Sequence, residues 1–302
     1  MRKTILAMAG LLVFGWAVSQ GQTSTETATQ MQQGTTEQVQ LEEYVPRVII
    51  EGKWGTGPGE FGVAEGYQIL PKKITVDNKE NIFILDTANS RIQKFDKNGK
   101  HLFSIPIKSF QKNWYYDKNG PIAGSIEKYS TDVWTDDENQ LYVLNIPKDD
   151  KRDIEIYENG KTFKTRMTIN KKEVESYKKV KKNNIMGFLK SDLIEKNKQI
   201  IFLIDKNKVE KELVITTEKN LDSVKYLGTD IWNNIYVRCN TWGGQYIYKY
   251  SFSLKLIAKI KSYEGTKDTF FESDMEIDSK GNIYQLVTEY PTVRVIKWEK
   301  KK

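Results

Sequence analysis

The chain of 302 residues has one cysteine, Cys239, and one histidine, His101. With a single thiol no intramolecular disulfide can form, and neither a cysteine cluster nor an imidazole-rich centre is available to a metal. A Ser/His/Asp triad would have to use His101, and its surroundings, Asn98-Gly99-Lys100-His101-Leu102, read as a turn into a strand rather than a catalytic setting. Proline is scarce at 7 residues, whereas tyrosine reaches 16 and tryptophan 7, a balance suited to a strand-rich core. There is no apolar run comfortably long enough to span a bilayer. Neither charge sign is lacking. Lys plus Arg total 47 against 40 for Asp plus Glu, a net charge of +7 with the two signs interspersed, as on a solvated surface.

Residues Met1 to Ser19 have the three parts of an export signal: Arg2 and Lys3, the apolar stretch Ile5 to Trp16, and the small-residue site Ala17-Val18-Ser19. No cysteine follows the apolar stretch, so a lipoprotein anchor is not available. Residues 20–43 are rich in Gln, Thr and Glu and nearly free of large apolar groups, which gives a disordered linker. The folded domain is expected over 44–302. Its first segment, Val45 to Glu51, reads as a strand, followed by the glycine-rich run Gly55-Thr56-Gly57-Pro58-Gly59-Glu60-Phe61-Gly62. That run does not lead into a helix and lacks Gly-Lys-Ser/Thr, so it is not a phosphate loop.

The stretch Pro71 to Pro106 carries four short apolar runs, Ile74 to Val76, Ile82 to Leu85, Ile92 to Phe95 and Leu102 to Ile105. The turns between them, Asp77 to Asn81, Thr87 to Ser90 and Asp96 to Gly99, supply the Asn and Gly that hairpins require. A four-stranded meander of this size cannot cover both its faces alone and needs copies of itself as neighbours. The copies are present. Asn81-Ile82-Phe83 aligns with Gln140-Leu141-Tyr142, Asn234-Ile235-Tyr236 and Asn282-Ile283-Tyr284, and in each an aspartate (Asp77, Asp136, Asp230, Asp278) stands six residues before the aromatic. A fifth, weaker copy lies at Gln199 to Phe202, with Lys196 in the aspartate position. Third strands align as well: Ile92 to Phe95 with Ile154 to Tyr157, Ile247 to Tyr250 and Val295 to Trp298.

The spacing of 34 to 60 residues between aromatics fits propeller blades with loop insertions. The expected fold is all-β, a single β-propeller of four-stranded antiparallel blades, five of them legible. After Tyr284 only one strand pair remains, so Val45 to Glu51 is expected to complete the last blade and close the ring. Two insertions interrupt the pattern: Lys108 to Lys128, which contains Trp114, Tyr115 and Tyr116, and the lysine-rich Asn170 to Asn184.

Asp86-Thr87-Ala88-Asn89-Ser90-Arg91-Ile92-Gln93-Lys94-Phe95 resembles the Asp-x-x-Asn-x-Arg-Ile-x-x-Phe signature of the NHL-repeat β-propeller family, and the glycine-rich run resembles that family's blade connection. The resemblance implies six blades of the exported bacterial type. At the Arg91 position the last blade keeps Arg294, whereas the second has Asp153 and the fourth Tyr246.

The repeated aspartates are expected to cap turns, and the Asp86/Arg91 pair to neutralise itself at a tight connection. The ligand-binding candidates are Arg91 and Arg294, as guanidinium groups for an anion, and Trp114, Tyr115, Tyr116 and Trp242, as loop aromatics for a sugar face or a protein. No catalytic or metal-binding residue is assigned, and no cofactor is expected; calcium is conceivable from the abundant carboxylates but not predicted. The function expected is an exported, periplasmic or extracellular, noncatalytic binding module. It would be a monomer, not inserted in a membrane, recognising a protein or glycan. The alternative is a metal-dependent lactonase-like or lyase-like propeller enzyme. Single-stranded RNA, bound by some NHL propellers, is disfavoured by export.

Overall fold

The computed structural model describes residues 40–63, 70–107, 115–117, 120–122, 129–146, 151–174, 186–205, 210–264, 270–289 and 291–302. Their secondary structure is β throughout, apart from a single 3₁₀ turn at Lys171–Glu173. A long first strand, β1 (Tyr44–Lys53), precedes the first complete meander, β2 (Lys73–Val76), β3 (Ile82–Asp86), β4 (Arg91–Phe95) and β5 (His101–Pro106), which forms an antiparallel sheet in sequence order. These four strands fall where the apolar runs and turns place them.

A two-stranded ribbon follows, β6 (Tyr115–Asp117) with β7 (Gly120–Ile122). Tyr115 and Tyr116 are therefore strand residues rather than loop residues: two aromatic strand-formers lead into Asp117, and a hairpin results. Trp114 lies outside the described residues. The second meander comprises β8 (Tyr129–Thr135), β9 (Leu141–Ile146), β10 (Lys151–Glu158) and β11 (Thr162–Asn170). Next come three strands, β12 (Met186–Glu195), β13 (Lys198–Asp205) and β14 (Glu210–Thr216), which contain the weak fifth copy. Among the described residues this sheet has three strands instead of four, and a direct turn from Glu195 to Lys198 replaces the aspartate turn of the other copies. A third full meander is β15 (Leu221–Thr229), β16 (Ile235–Thr241), β17 (Gly244–Tyr250) and β18 (Leu256–Lys261). The last sheet takes β19 (Phe270–Ile277), β20 (Ile283–Glu289) and β21 (Thr292–Lys300) from the C-terminal end and β1 from the other end. In it Val48 pairs with Ile296 and Glu51 with Arg294. Among the described residues there are thus five sheets of three or four strands and one ribbon.

The sheets stack on one another through their first strands. β2 packs against β8 and β19, β19 against β15, and β15 against β12. Strand β3 shows why the sequence reads as continuous apolar runs: all five of its residues are buried, because the sheet has a neighbour on each face. Ile82 and Ile84 join Ile74, Phe95, Tyr284, Leu286 and Val295 on the side of the last sheet. Phe83 and Leu85, one residue out of phase, join Val133, Leu141 and Val143 on the side of the second. Tyr236 and Ile247 pack likewise with Met275, Ile283 and Trp298. Each fully buried side chain of this size stabilises the stack by about 1.5–3 kcal/mol. The turn at Gly99, with φ of +86°, comes so close to the backbone of Ile49 that any Cβ there would strike its carbonyl.

Candidate functional site

Four turns, one between the first and second strands of each sheet except β12–β14, repeat one geometry. In each, the aspartate Oδ1 accepts two backbone N–H bonds of 2.8–3.0 Å, from the residues two and four places on: Lys79 and Asn81, Glu138 and Gln140, Trp232 and Asn234, Lys280 and Asn282. The other oxygen, Oδ2, accepts from Tyr142, Tyr236 and Tyr284 hydroxyls in three of them. In the remaining turn Phe83 replaces tyrosine, and Asn81 Nδ2 donates to Asp77 Oδ2 at 2.8 Å. The fourth residue has positive φ in every case: Glu80 62°, Asn139 61°, Asn233 64° and Gly281 76°. The aspartates therefore cap turns, as Asx-turn chemistry requires.

These turns are joined side by side. Asn78 N donates to Asn139 Oδ1 at 3.0 Å and its side-chain amide to Asp137 O at 2.8 Å. Lys280 Nζ reaches Glu80 Oε1 at 2.6 Å, and Ile231 N donates to Ser279 O at 2.9 Å. Burial raises the Glu80 carboxyl, but the ammonium groups of Lys280 and Lys297 outweigh it and hold the group down at about 2. Where β2, β8, β15 and β19 end at these turns there is a pocket of about 80 Å³ whose lining includes Asp136, Asp137, Glu276, Asp278 and Thr229. Further along the same strands, Lys225 Nζ lies 3.1 Å and Lys73 Nζ 3.9 Å from Asp274 Oδ1. Thr75 and Thr135 hydroxyls meet at 3.3 Å, fully within the stack. Among the described residues, no three His, Cys, Asp or Glu side chains gather as metal ligands.

The two arginines act at a different connection. Asp86 is fully buried; its Oδ1 accepts from Gly62 N at 2.8 Å, and its Oδ2 from Asn89 Nδ2, Arg91 Nε and Gln93 Nε2 at 2.9, 2.9 and 3.2 Å. Arg91 also donates to the carbonyls of Thr56, Gly57 and Glu60 at 2.7–2.8 Å. The glycine-rich run is thereby strapped onto the signature, and glycine is needed at Gly62 because a side chain there would collide with Ala88 and the backbone of Asn89. Arg294 holds the same connection from its other end: Nε bonds Glu51 at 2.8 Å and Nη1 bonds Glu289 at 2.6 Å. The two guanidinium groups are thus brought to one segment, running from Glu51 to Gly62, and both are engaged by the chain itself.

Trp242 stands apart, 80% exposed at the β16–β17 turn. His101 Nε2 lies 3.1 Å from Ser104 Oγ, with its ring edge-on to Phe95, and burial together with the Arg91 charge lowers its pKa. Cys239 is fully buried, and burial pushes its thiol up to about 12. Three features went unread in the sequence: the Lys73/Lys225/Asp274 cluster, the acidic pocket, and the exposed Ile231-Trp232 pair. The last had a signal, since the aligned turns carry only polar residues there.

No family model matches this chain. Over 47 residues, 16% of the chain, it is 45% identical to Protein brain tumor of Drosophila melanogaster, and over 45 residues, 15% of the chain, 47% identical to B-box type zinc finger protein ncl-1 of Caenorhabditis elegans. The matched stretches span only 4% and 5% of the lengths of those two proteins. Among solved structures, a streptogramin B lyase overlays with a TM-score of 0.27 at 10% identity, covering 80% of this chain and 68% of the lyase. Regucalcin from Agrobacterium tumefaciens gives 0.33 at 10% identity over 77% and 91%. An aldose sugar dehydrogenase from Streptomyces coelicolor gives 0.37 at 7% identity over 85% and 99%. These overlays are loose, and they assign this chain no chemistry.

Proposed function

We propose that the five sheets are blades of an NHL-like β-propeller, with β1 completing the last blade, and that it is an exported, noncatalytic module binding a protein or glycan partner. One observation carries this reading: the signature charges are turned inward to hold the blade connections, whereas Trp232 and Trp242, 60% and 80% exposed, stand at hairpin tips. Large aromatics left in water at the tips of a rigid scaffold suit recognition by contact area. The metal-dependent enzyme is the alternative, but the pocket lined by Asp136, Asp137, Glu276 and Asp278 does not favour it, since among the described residues no three carboxylates gather as metal ligands.

Glycan-array and envelope-protein binding by the purified full chain, with metal analysis of chelator-free material, separates the two. Saturable binding weakened by Trp232→Ala or Trp242→Ala supports the module. A stoichiometric metal together with turnover lost in Glu276→Gln overturns it. Export is tested separately, by the N-terminus of the protein recovered from cells, which is expected to begin at Gln20.

A further inference from the structure

Two crevices open between neighbouring sheets, each bordered by two edge strands. One, of about 450 Å³, lies between the end of β18 and the strands β1 and β21, with Val48, Ile296 and Trp298 in its lining. The other, of about 590 Å³, lies between the end of β5 and the strands β10 and β11, with Ile105, Ile107, Tyr157 and Phe163 in its lining. They share a plan and differ in charge. In the first, both cations are matched by carboxylates: Arg294 is held by Glu51 and Glu289, and Lys261 lies 3.7 Å from Glu264. The second has Lys161 and Arg166 against a single carboxylate, Glu155.

Glu155 has no charge to spare. Its side chain is 6% exposed; Oε1 accepts from Arg166 Nη2, and Oε2 from the Tyr157 hydroxyl at 3.1 Å. The cations are in the opposite condition. The Arg166 side chain is 47% exposed, and its Nε and Nη1 have no acceptor among the described residues. Lys161 is exposed and has no carboxylate partner among them; its ammonium stands 5.7 Å from the centroid of the Phe103 ring. Phe163, 53% exposed, meets Tyr157 edge-on at 5.8 Å and brings an aromatic ring to the same cavity. A lone solvated lysine is ordinary. Two cations with unused N–H groups beside an apolar cavity of ligand size, about 300–1,000 Å³, make a recognition pattern for an anion with an apolar body. An added peptide strand is disfavoured: Ile107 N donates inward to Ser90 O, so the position before it faces the edge, and Pro106 has no N–H to offer there.

We propose that this crevice binds a small organic carboxylate with a flat apolar body, the carboxylate set between Lys161 and Arg166 and the body against Phe163, Ile105 and Ile107. Charge-assisted contacts hold one end and burial of an apolar ring the other. This ligand goes beyond the partner met at the hairpin tips of Trp232 and Trp242 and occupies different sheets.

The test titrates the full chain, carrying labelled isoleucine δ1-methyls, with 3-phenylpropanoate, indole-3-acetate and 2-naphthoate, and with the corresponding amides and inorganic phosphate for comparison. Ile105→Val and Ile107→Val assign the two reporter signals. At least one acid is expected to shift both signals saturably, about tenfold or more tightly than its amide. Two variants at exposed positions, with melting curves to verify the fold, divide the contacts. Lys161→Gln should weaken the acid at least about fivefold and leave the amide unchanged, whereas Phe163→Ser should weaken acid and amide alike. Neither variant removes the arginine partner of Glu155. Failure of every acid to move either signal, an acid bound no better than its amide, or parental affinity in Lys161→Gln overturns the site. Phosphate that shifts the signals as strongly as the acids reduces it to an inorganic-anion site, against the proposal. None of these results bears on the hairpin tips, where the glycan and envelope-protein assays decide the broader reading separately.

Discussion

Replacing Asp86 by asparagine should cost about 3–5 kcal/mol, the range for breaking a buried ion pair by removing one partner. The substitution conserves shape and reverses polarity at one atom. If the retained oxygen keeps the bond from Gly62 N, the new amide group faces three donors: Arg91 Nε loses its acceptor, and Asn89 Nδ2 and Gln93 Nε2 keep only the carbonyls of Gly55 and Glu60. Arg91, whose side chain is only 14% exposed, loses its counter-charge, and with it the strap on residues 55–62 slackens. A domain is typically stable by about 5–15 kcal/mol, so this one atom removes a large share. Urea unfolding followed by tryptophan fluorescence measures it, with Asp96→Asn as the control. Asp96 likewise accepts two backbone N–H bonds, from Asn98 and Lys100, but on an exposed turn where asparagine serves equally, and the change there should stay within about 0.5 kcal/mol. An Asp86→Asn loss below about 1 kcal/mol would refute the assignment of Asp86 and Arg91 to holding the glycine-rich connection.

Three further outcomes are expected. Glu80 is held at about 2 against an ordinary 4.5, so its contribution is complete above pH 4.5 and drains away as the pH falls toward 2; Glu80→Gln should flatten that part of the acid-unfolding curve. Glu42→Gln should destabilise by about 3 kcal/mol, because Lys249 is 5% exposed and donates to Glu42 at 2.8 Å, and thermal melting reads the loss. Cys239, fully buried with its thiol pushed up to about 12, should resist Ellman's reagent at pH 8 until denaturant is added; rapid labelling of the folded chain would contradict its burial.

Strand positions were legible in this sequence because a sheet covered on both faces needs unbroken apolar runs, and turns need Asp, Asn and Gly at fixed offsets. The run Ile82 to Leu85 and the Asp77 turn obey both demands, and their copies could be aligned on that basis alone. The sheet β12–β14 was hard to read for the converse reason: its first hairpin turns directly from Glu195 to Lys198 and dispenses with the aspartate. Side-chain partners were less accessible. Arg91 and Arg294 stand out as free cations in a linear sequence, since nothing there shows that the carbonyls of Thr56, Gly57 and Glu60, or the carboxylates of Glu51 and Glu289, fold back onto them. Lys73, Lys225 and Asp274 come from three separate repeats and meet only because first strands pack together.

The same division explains why the repeats themselves point to the candidate surface. Residues that every copy must share, the capping aspartates and the positive-φ residues, serve the fold, and their recurrence argues against their being a ligand site. Function is more economically sought where copies with identical geometry differ in chemistry. By that criterion Arg294, which keeps both the position and the inward pairing of Arg91, belongs to the scaffold. Ile231 and Trp232, which keep the geometry of their sibling turns but exchange polar tips for exposed apolar ones, do not.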